Sequence, residues 1–332
     1  MMTASSLTRF ARRVRYAVAH PTAVVRYLVG TPAAPAMGAT AVAEDAPPVE
    51  LAQPDPLQPF ERYLALGRAQ GIEQPTLFLS FDCDTDLDFT AALEVKRFLD
   101  SLGIKATWAV PGVQIERGAD TYRSIAATGA EFMNHGQLPH TAWGEDRYIS
   151  ITWYHEMTPE DVTADILAGD ATIRRVLGVT PGGFRAPHFG HYAAPDQLAL
   201  VHACARQLGY SYCSTTLPAY GLGNGPLHDA DGIVELPTFG SLVAPTSVLD
   251  SWSYLTDRRV YQLGDVYAEL MCATAERLVS ERAAALLTWY ADPSHVVGQA
   301  PFERAMQRLV SLGIPSLHGS EAAALLRRAS PG

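Results

Sequence analysis

The sequence predicts an α/β protein: a parallel sheet covered by helices and closed into a barrel, behind a basic N-terminal arm and a linker. Two observations carry this. From Thr76 onward, short β-prone apolar runs alternate with helical periodicity. There are about seven such units, and that alternation calls for parallel strands joined by helical crossovers. The polar residues capable of chemistry stand at the C-terminal ends of the runs, where barrels of this kind build their sites.

Composition agrees. The chain has 332 residues, 48% apolar and 18% charged, which describes a globular protein with one large domain and appendages. Its net charge of −10 argues against nucleic acid as a partner. The charge is uneven, because Arg9, Arg12, Arg13, Arg15 and Arg26 fall in residues 1–43, which hold no acid. Residues 1–30 therefore read as a basic arm. It contacts an anionic membrane surface, packs on its own acidic domain or is disordered. Residues 31–73 read as an Ala- and Pro-rich linker with a short helix near Phe60 to Gln70, and residues 74–326 as the barrel. Cys83, Cys204, Cys213 and Cys272 form no CxxC pair and read as reduced core thiols. With no signal-like apolar stretch, a cytoplasmic enzyme is expected, with the basic arm as its means of any membrane association.

The first run, Thr76 to Asp86, reads Thr-Leu-Phe-Leu-Ser-Phe-Asp-Cys-Asp-Thr-Asp. Strand alternation puts Asp82 and Asp84 on one face and Cys83 on the other. Two carboxylates at the end of a buried strand need a cation, a proton or an arginine between them. A helix follows through Val95, Phe98, Leu99 and Leu102 to Gly103. The next strands are Ala106 to Val110 and Glu131 to Asn134, with a helix around Thr121 to Thr128 between them.

The third strand runs into His135, and His140 follows in His-Gly-Gln-Leu-Pro-His. A gap of five is not helical, and Gly136 and Pro139 argue for a loop. One aspartate and two histidines suit zinc or a similar divalent ion, with positions left for water and substrate. His155 is the alternative second histidine. A helix over Pro159 to Leu177 leads to Gly183 to Arg185, whose arginine could pair with Asp82 and hold it as a base. Further strands are predicted at Tyr210 to Thr215, Gly232 to Leu236 and Ala284 to Tyr290, with helices at Asp196 to Leu208 and Val260 to Ser280. A last helix, Pro301 to Leu312, and the segment Ile314 to Leu317 close the domain. Asp292 or His295, past the final strand, could act as general acid toward a leaving amine. Trp143, Tyr148, Trp153, Phe189, Tyr192 and Trp252 are candidates for stacking on a sugar or for core packing.

Ser-Phe-Asp-Cys-Asp, Asn-His-Gly-Gln-Leu-Pro-His, Gly-Phe-Arg-Ala-Pro-His-Phe and Leu-Leu-Thr-Trp-Tyr, in that order, resemble the motifs of the polysaccharide deacetylase family, the NodB-homology or carbohydrate esterase 4 group. The resemblance implies a distorted (β/α)7 barrel that removes N-acyl groups, usually acetyl, from amino sugars or glycans with a divalent metal: zinc, or else cobalt, manganese or nickel. It implies Asp82 as base, Asp84, His135 and His140 as metal ligands, and Arg185 as the tether of the base. The backbone N–H of His188 would help to hold an oxyanion, and His295 or Asp292 would be the acid. The other readings are an allantoinase-like hydrolase of a non-sugar amide and a non-catalytic sugar-binding barrel.

Overall fold

The computed structural model describes residues 55–145 and 147–329. The predicted basic arm at residues 1–30 and the linker up to residue 54 lie outside the described residues. The barrel belongs to a compact unit that begins at Pro54.

The strands are β1 (Thr76–Asp82), β2 (Ala106–Val110), β3 (Glu131–Asn134), β4 (Thr141–Trp143), β5 (Tyr148–Ser150) and β6 (Gly183–Arg185). They continue as β7 (Tyr212–Ser214), β8 (His228–Ala230), β9 (Ile233–Glu235), β10 (Leu255–Asp257), β11 (Gln262–Leu263) and β12 (Leu286–Ala291). The main sheet has the order β12-β1-β2-β3-β6-β7-β9-β8. Among the described residues its strands pair in parallel throughout, except that β8 runs antiparallel to β9. Seven parallel strands thus curl into the predicted distorted barrel.

The alternation in β1 is as expected. Leu77, Leu79, Phe81 and Cys83 join one large apolar core, while Phe78 belongs to a second core. Ser80, Asp82 and Asp84 fall on the Phe78 side, and the last two face a cavity at the strand's C-terminal end. Burial at all seven β1 positions suits a strand flanked on both edges by parallel neighbours.

The barrel has a seam. β9 and β12 share no ladder, and residues 236–240 cross the gap instead. The Leu236 N–H donates to Cys213 O (2.8 Å), Thr238 N–H to Thr216 O (3.0 Å) and Phe239 N–H to Thr288 O (2.8 Å). The Trp289 indole N–H reaches Gly240 O at 3.2 Å. Helix α1 (Glu61–Ala69) lies across this seam. Phe60, just before it, stacks on Phe239 at 5.1 Å. Tyr63 gives its hydroxyl proton to Leu286 O (2.6 Å), and Gln70 Nε2 donates to Leu227 O (2.7 Å). Gly67 permits the close approach, since a Cβ there would stand 2.2 Å from Ala284 O. The boundary predicted at residue 74 falls inside this compact unit.

The other helices are α2 (Asp86–Ser101), α3 (Gly112–Arg117), α4 (Ala119–Ala126), α5 (Pro159–Leu177), α6 (Pro195–Leu208) and α7 (Pro218–Asn224). After them come α8 (Asp265–Ser280), α9 (Pro293–Val296), α10 (Ala300–Ser311) and α11 (Gly319–Ala329). α2 opens on a capping box in which Thr85 and Asp88 satisfy each other's backbone N–H groups. That cap turns Asp86 away from its neighbours and into an ion pair with Arg117. α5 begins at Pro159 with Thr158 as its cap and ends at Gly178 (φ 71°), as its sequence predicts.

Two expectations are corrected. α8 starts at Asp265 instead of near Val260, because β10 and β11 pair as a hairpin before it, with Tyr261 in the left-handed region (φ 51°). The segment Ile314 to Leu317 makes only a bridge between Leu77 and Ser316, since Pro315 has no N–H to extend a ladder. Cys83, Cys204, Cys213 and Cys272 are free thiols, and the first three are buried. No described helix is long and apolar enough to cross a membrane.

Glu235, at the end of β9, is fully buried between strands and α6. Its Oε1 accepts from the N–H (2.7 Å) and hydroxyl (2.9 Å) of Thr215 and from both groups of Thr216 (2.9 Å each). Oε2 lies 3.1 Å from His202 Nε2. Burial alone would raise the acid's pKa, but His202 and the Thr215 donors outweigh it and hold it below the usual range. Glu235→Ala would strand those donors, so a loss of about 3–5 kcal/mol is expected in denaturant unfolding. A loss under about 1 kcal/mol would show that the network is dispensable.

Candidate active site

A cavity of about 430 Å³ opens at the C-terminal ends of the strands, and Asp82, Asp84, His135, Asp292 and His295 all line it. Asp84 is its centre. Its Oδ1 lies 3.0 Å from His140 Nδ1 and 3.5 Å from His135 Nε2. The two rings meet edge to face at 4.2 Å between centroids. One ligand atom from each of the three residues falls within 4.8 Å of the others.

His135 is tautomerically prepared. Its Nδ1 is 2.8 Å from Arg185 O, a carbonyl that can only accept, so the proton sits on Nδ1 and the Nε2 lone pair faces Asp84. Burial, followed by the nearby His140, pushes His135 well below the ordinary histidine range and keeps it neutral. Burial would raise Asp84, but His140 and then His135 pull it well below the carboxylate range. His140 Nε2 is buried with no hydrogen-bond partner among the described residues. An ionised carboxylate, two imidazoles and an unsatisfied ring nitrogen fit a borderline divalent cation such as zinc.

The five-residue spacing works because the loop is anchored from behind. Gly136 adopts φ 78°, where a side chain would also collide with Asp165 Oδ2 at 2.2 Å. Asp165 on α5 accepts from the N–H groups of Gln137 (3.0 Å) and Leu138 (2.8 Å) and from the Tyr154 hydroxyl (2.6 Å). Ile151 N–H donates to His140 O at 2.7 Å. His140 therefore returns to Asp84 and His135. His155, the alternative, is exposed and stacks on His191 at 5.6 Å, outside the cluster.

Arg185 is wholly buried and reaches Asp82 through Nη1, at 3.0 Å from Oδ1 and 3.4 Å from Oδ2. Its Nη2 donates to Ser80 Oγ at 2.6 Å, and the guanidinium lies over Phe189 (4.7 Å) and Tyr290 (5.2 Å). Burial pushes Asp82 up to about 7, against the pull of Arg185. His188 sits at φ 54°, with its ring stacked on Trp153 at 4.1 Å and Nε2 2.9 Å from Ile151 O. Its backbone N–H has no hydrogen-bond partner among the described residues.

The two candidate acids form one unit. Asp292 Oδ2 is 2.6 Å from His295 Nδ1. Ser251 Oγ is 3.0 Å from that same nitrogen and accepts the Asp292 N–H at 3.0 Å. Burial, with Asp84 and Asp250 adding to it, raises Asp292 well above the carboxylate range, and burial lowers His295 to about 4. Both shifts favour the uncharged form of each group.

Of the aromatics, Tyr148, Phe189 and Trp252 line the cavity. Trp143 is 62% exposed and leans on Tyr148 at 5.0 Å. Tyr192 takes the second alternative, a core residue packed on Tyr154 at 5.5 Å. Sequence reasoning missed Asp165, Asp250 and Ser251. Asp165 carried a usable signal: it is an acid between Val162 and Ile166 on the apolar face of a predicted helix.

Residues 70–213 match the family model for polysaccharide deacetylase, which bears out the resemblance read from the motifs. Among solved structures, a Mycobacterium smegmatis protein classed with polysaccharide deacetylases superposes with a TM-score of 0.57 at 19% identity, over 77% of this chain and 91% of that one. Puue allantoinase superposes with a TM-score of 0.55 at 13% identity, over 88% of this chain and 100% of that one. At such identities both likenesses show the fold. No curated protein matches the chain.

Proposed function

We propose that this chain, which carries the polysaccharide deacetylase signature over residues 70–213, hydrolyses the N-acyl group of an amino sugar or glycan, acetyl in the first instance. One observation carries the reading: Asp82, tethered by Arg185, lines one cavity with Asp84 and His135, and His140 converges on Asp84 from behind. Those three would hold the divalent cation, zinc in our reading. When bound, such an ion polarises an acyl carbonyl and acidifies water.

The chain's own groups supply the rest. Asp82 takes the proton from the attacking water, and Arg185 fixes which of its oxygens faces the cavity. The free N–H of His188 donates to the acyl oxygen as negative charge builds on it. The Asp292–His295 pair hands its proton to the departing amine. Tyr148, Phe189 and Trp252 offer ring faces to a sugar.

The fold shared with Puue allantoinase, over 88% of this chain, keeps a non-sugar amide as the second reading. The deciding experiment offers N-acetylglucosamine oligomers and allantoin to the zinc-loaded protein and again after chelation. Acetate release from the oligomers that stops on chelation is expected. Turnover of allantoin alone would favour the second reading, and sugar binding without turnover or zinc uptake would leave a sugar-binding barrel.

A further inference from the structure

Two arginines of the cavity wall have no task in the proposed deacylation. Arg147 stands beside β5, in the turn of the β4–β5 hairpin, and Arg258 in the turn of the β10–β11 hairpin. Both line the cavity that holds Asp82 and Asp84. Neither forms an ion pair among the described residues, unlike their neighbours. Arg117 holds Asp86, and Arg259 takes Asp257, the carboxylate on the second hairpin. Arg258 lies over the Trp252 ring at 4.6 Å, which keeps its charge against the cavity wall.

The carboxylates of the cavity do not use these charges. Asp82 is held by Arg185, Asp84 by the histidines and Asp292 by His295. Asp88 accepts from Ser294 N–H at 3.0 Å, and Asp250 accepts from the Tyr290 hydroxyl at 3.0 Å. In a protein of net charge −10, an anion approaching such a cavity is repelled unless local positive charge reverses the field. Arg147 and Arg258, on separate hairpins, are the guanidiniums that the cavity wall offers such an anion.

We propose that Arg147 and Arg258 bind an oxyanion carried by the substrate away from its N-acyl group, a carboxylate or a phosphate on the sugar. This rests on the deacylase reading of the same cavity. It makes the two residues determinants of specificity, without contact to the reacting atoms.

The test measures binding by calorimetry to the full chain, before and after chelation. N-acetylglucosamine is compared with its 1-phosphate and with N-acetylmuramic acid. At least one anionic sugar should bind roughly tenfold tighter than the neutral one, the scale of a charge-assisted hydrogen bond. The preference should shrink as salt rises. It should vanish in the Arg147→Gln/Arg258→Gln double variant, in which the anionic sugars bind no tighter than the neutral one. Which anionic sugar gains identifies the oxyanion. Equal binding of all three sugars, or a preference that survives the double substitution, overturns the proposal. Acetate release from neutral oligomers without anion preference would sink this inference alone. Anion preference without release from any sugar would sink the deacylase reading and keep the arginine pair.

Discussion

Asp82→Asn is expected to lower turnover by about 10³-fold, the middle of the range for loss of a positioned general base. Zinc binding should persist, because Asp84, His135 and His140 are untouched. The asparagine oxygen can still accept from Arg185 Nη1, now 3.0 Å from Asp82 Oδ1, so the geometry survives while the basicity goes. The guanidinium, fully buried, then lacks its counter-charge, and a stability loss of about 3 kcal/mol should accompany the change. Rate, zinc content and denaturant midpoint are the three readouts. Near-normal turnover in a zinc-loaded Asp82→Asn protein would remove Asp82 from the mechanism. The pH profile adds a sign. Burial sets Asp82 near 7, and a cation beside it favours its charged form, so in the loaded enzyme the acid limb of kcat/KM should fall below 7.

The second large effect concerns the metal ligands. His135→Ala and His140→Ala should each weaken zinc by more than the roughly 10–100-fold that loss of an outer-sphere partner costs. Activity should fall in step, with little change in circular dichroism. Because burial holds His135 neutral well below the ordinary histidine range, proton competition at that ligand should weaken the site only below that range. His155→Ala should stay within about twofold of the parent, as exposed positions usually do. An essential His155 with a dispensable His140 would mean that the loop is rearranged in the loaded protein and that the ligand set is different.

Much of the barrel and its site was readable in the residues, and the reasons differ from part to part. The parity of β1 was readable because a strand's period is two: once Phe81 is core, Asp82 and Asp84 must share the opposite face. The partner of Asp82 was readable from chemistry, since a buried carboxylate next to another needs a cation and Arg185 ends another of the parallel strands. The hairpins were not readable. β4, β5 and β10 have three residues each and β11 two, too short for alternation to register, and several of their side chains are exposed. Val260 joined a helical pattern in the sequence because nothing local announces the left-handed Tyr261 that breaks it. The seam was hidden for another reason. Whether a sheet laces shut depends on pairing between distant strands, which no local window contains.

The helix at Glu61–Ala69 has a consequence for how the chain is made. It leaves the ribosome before any of the described strands, yet its Tyr63 hydroxyl ends on the Leu286 carbonyl, 223 residues later. β1 waits as long, because one of its two neighbours in the sheet is β12. During synthesis the strand that bears Asp82 and Asp84 is therefore a bare edge, and the helix meant to clasp the barrel has only half its grip. A nascent chain short of Leu286 holds both acids and both histidines but lacks one flank of the strand that leads to the acids. Pairing this distant makes folding slow and leaves the exposed edge open to aggregation until the last strand arrives.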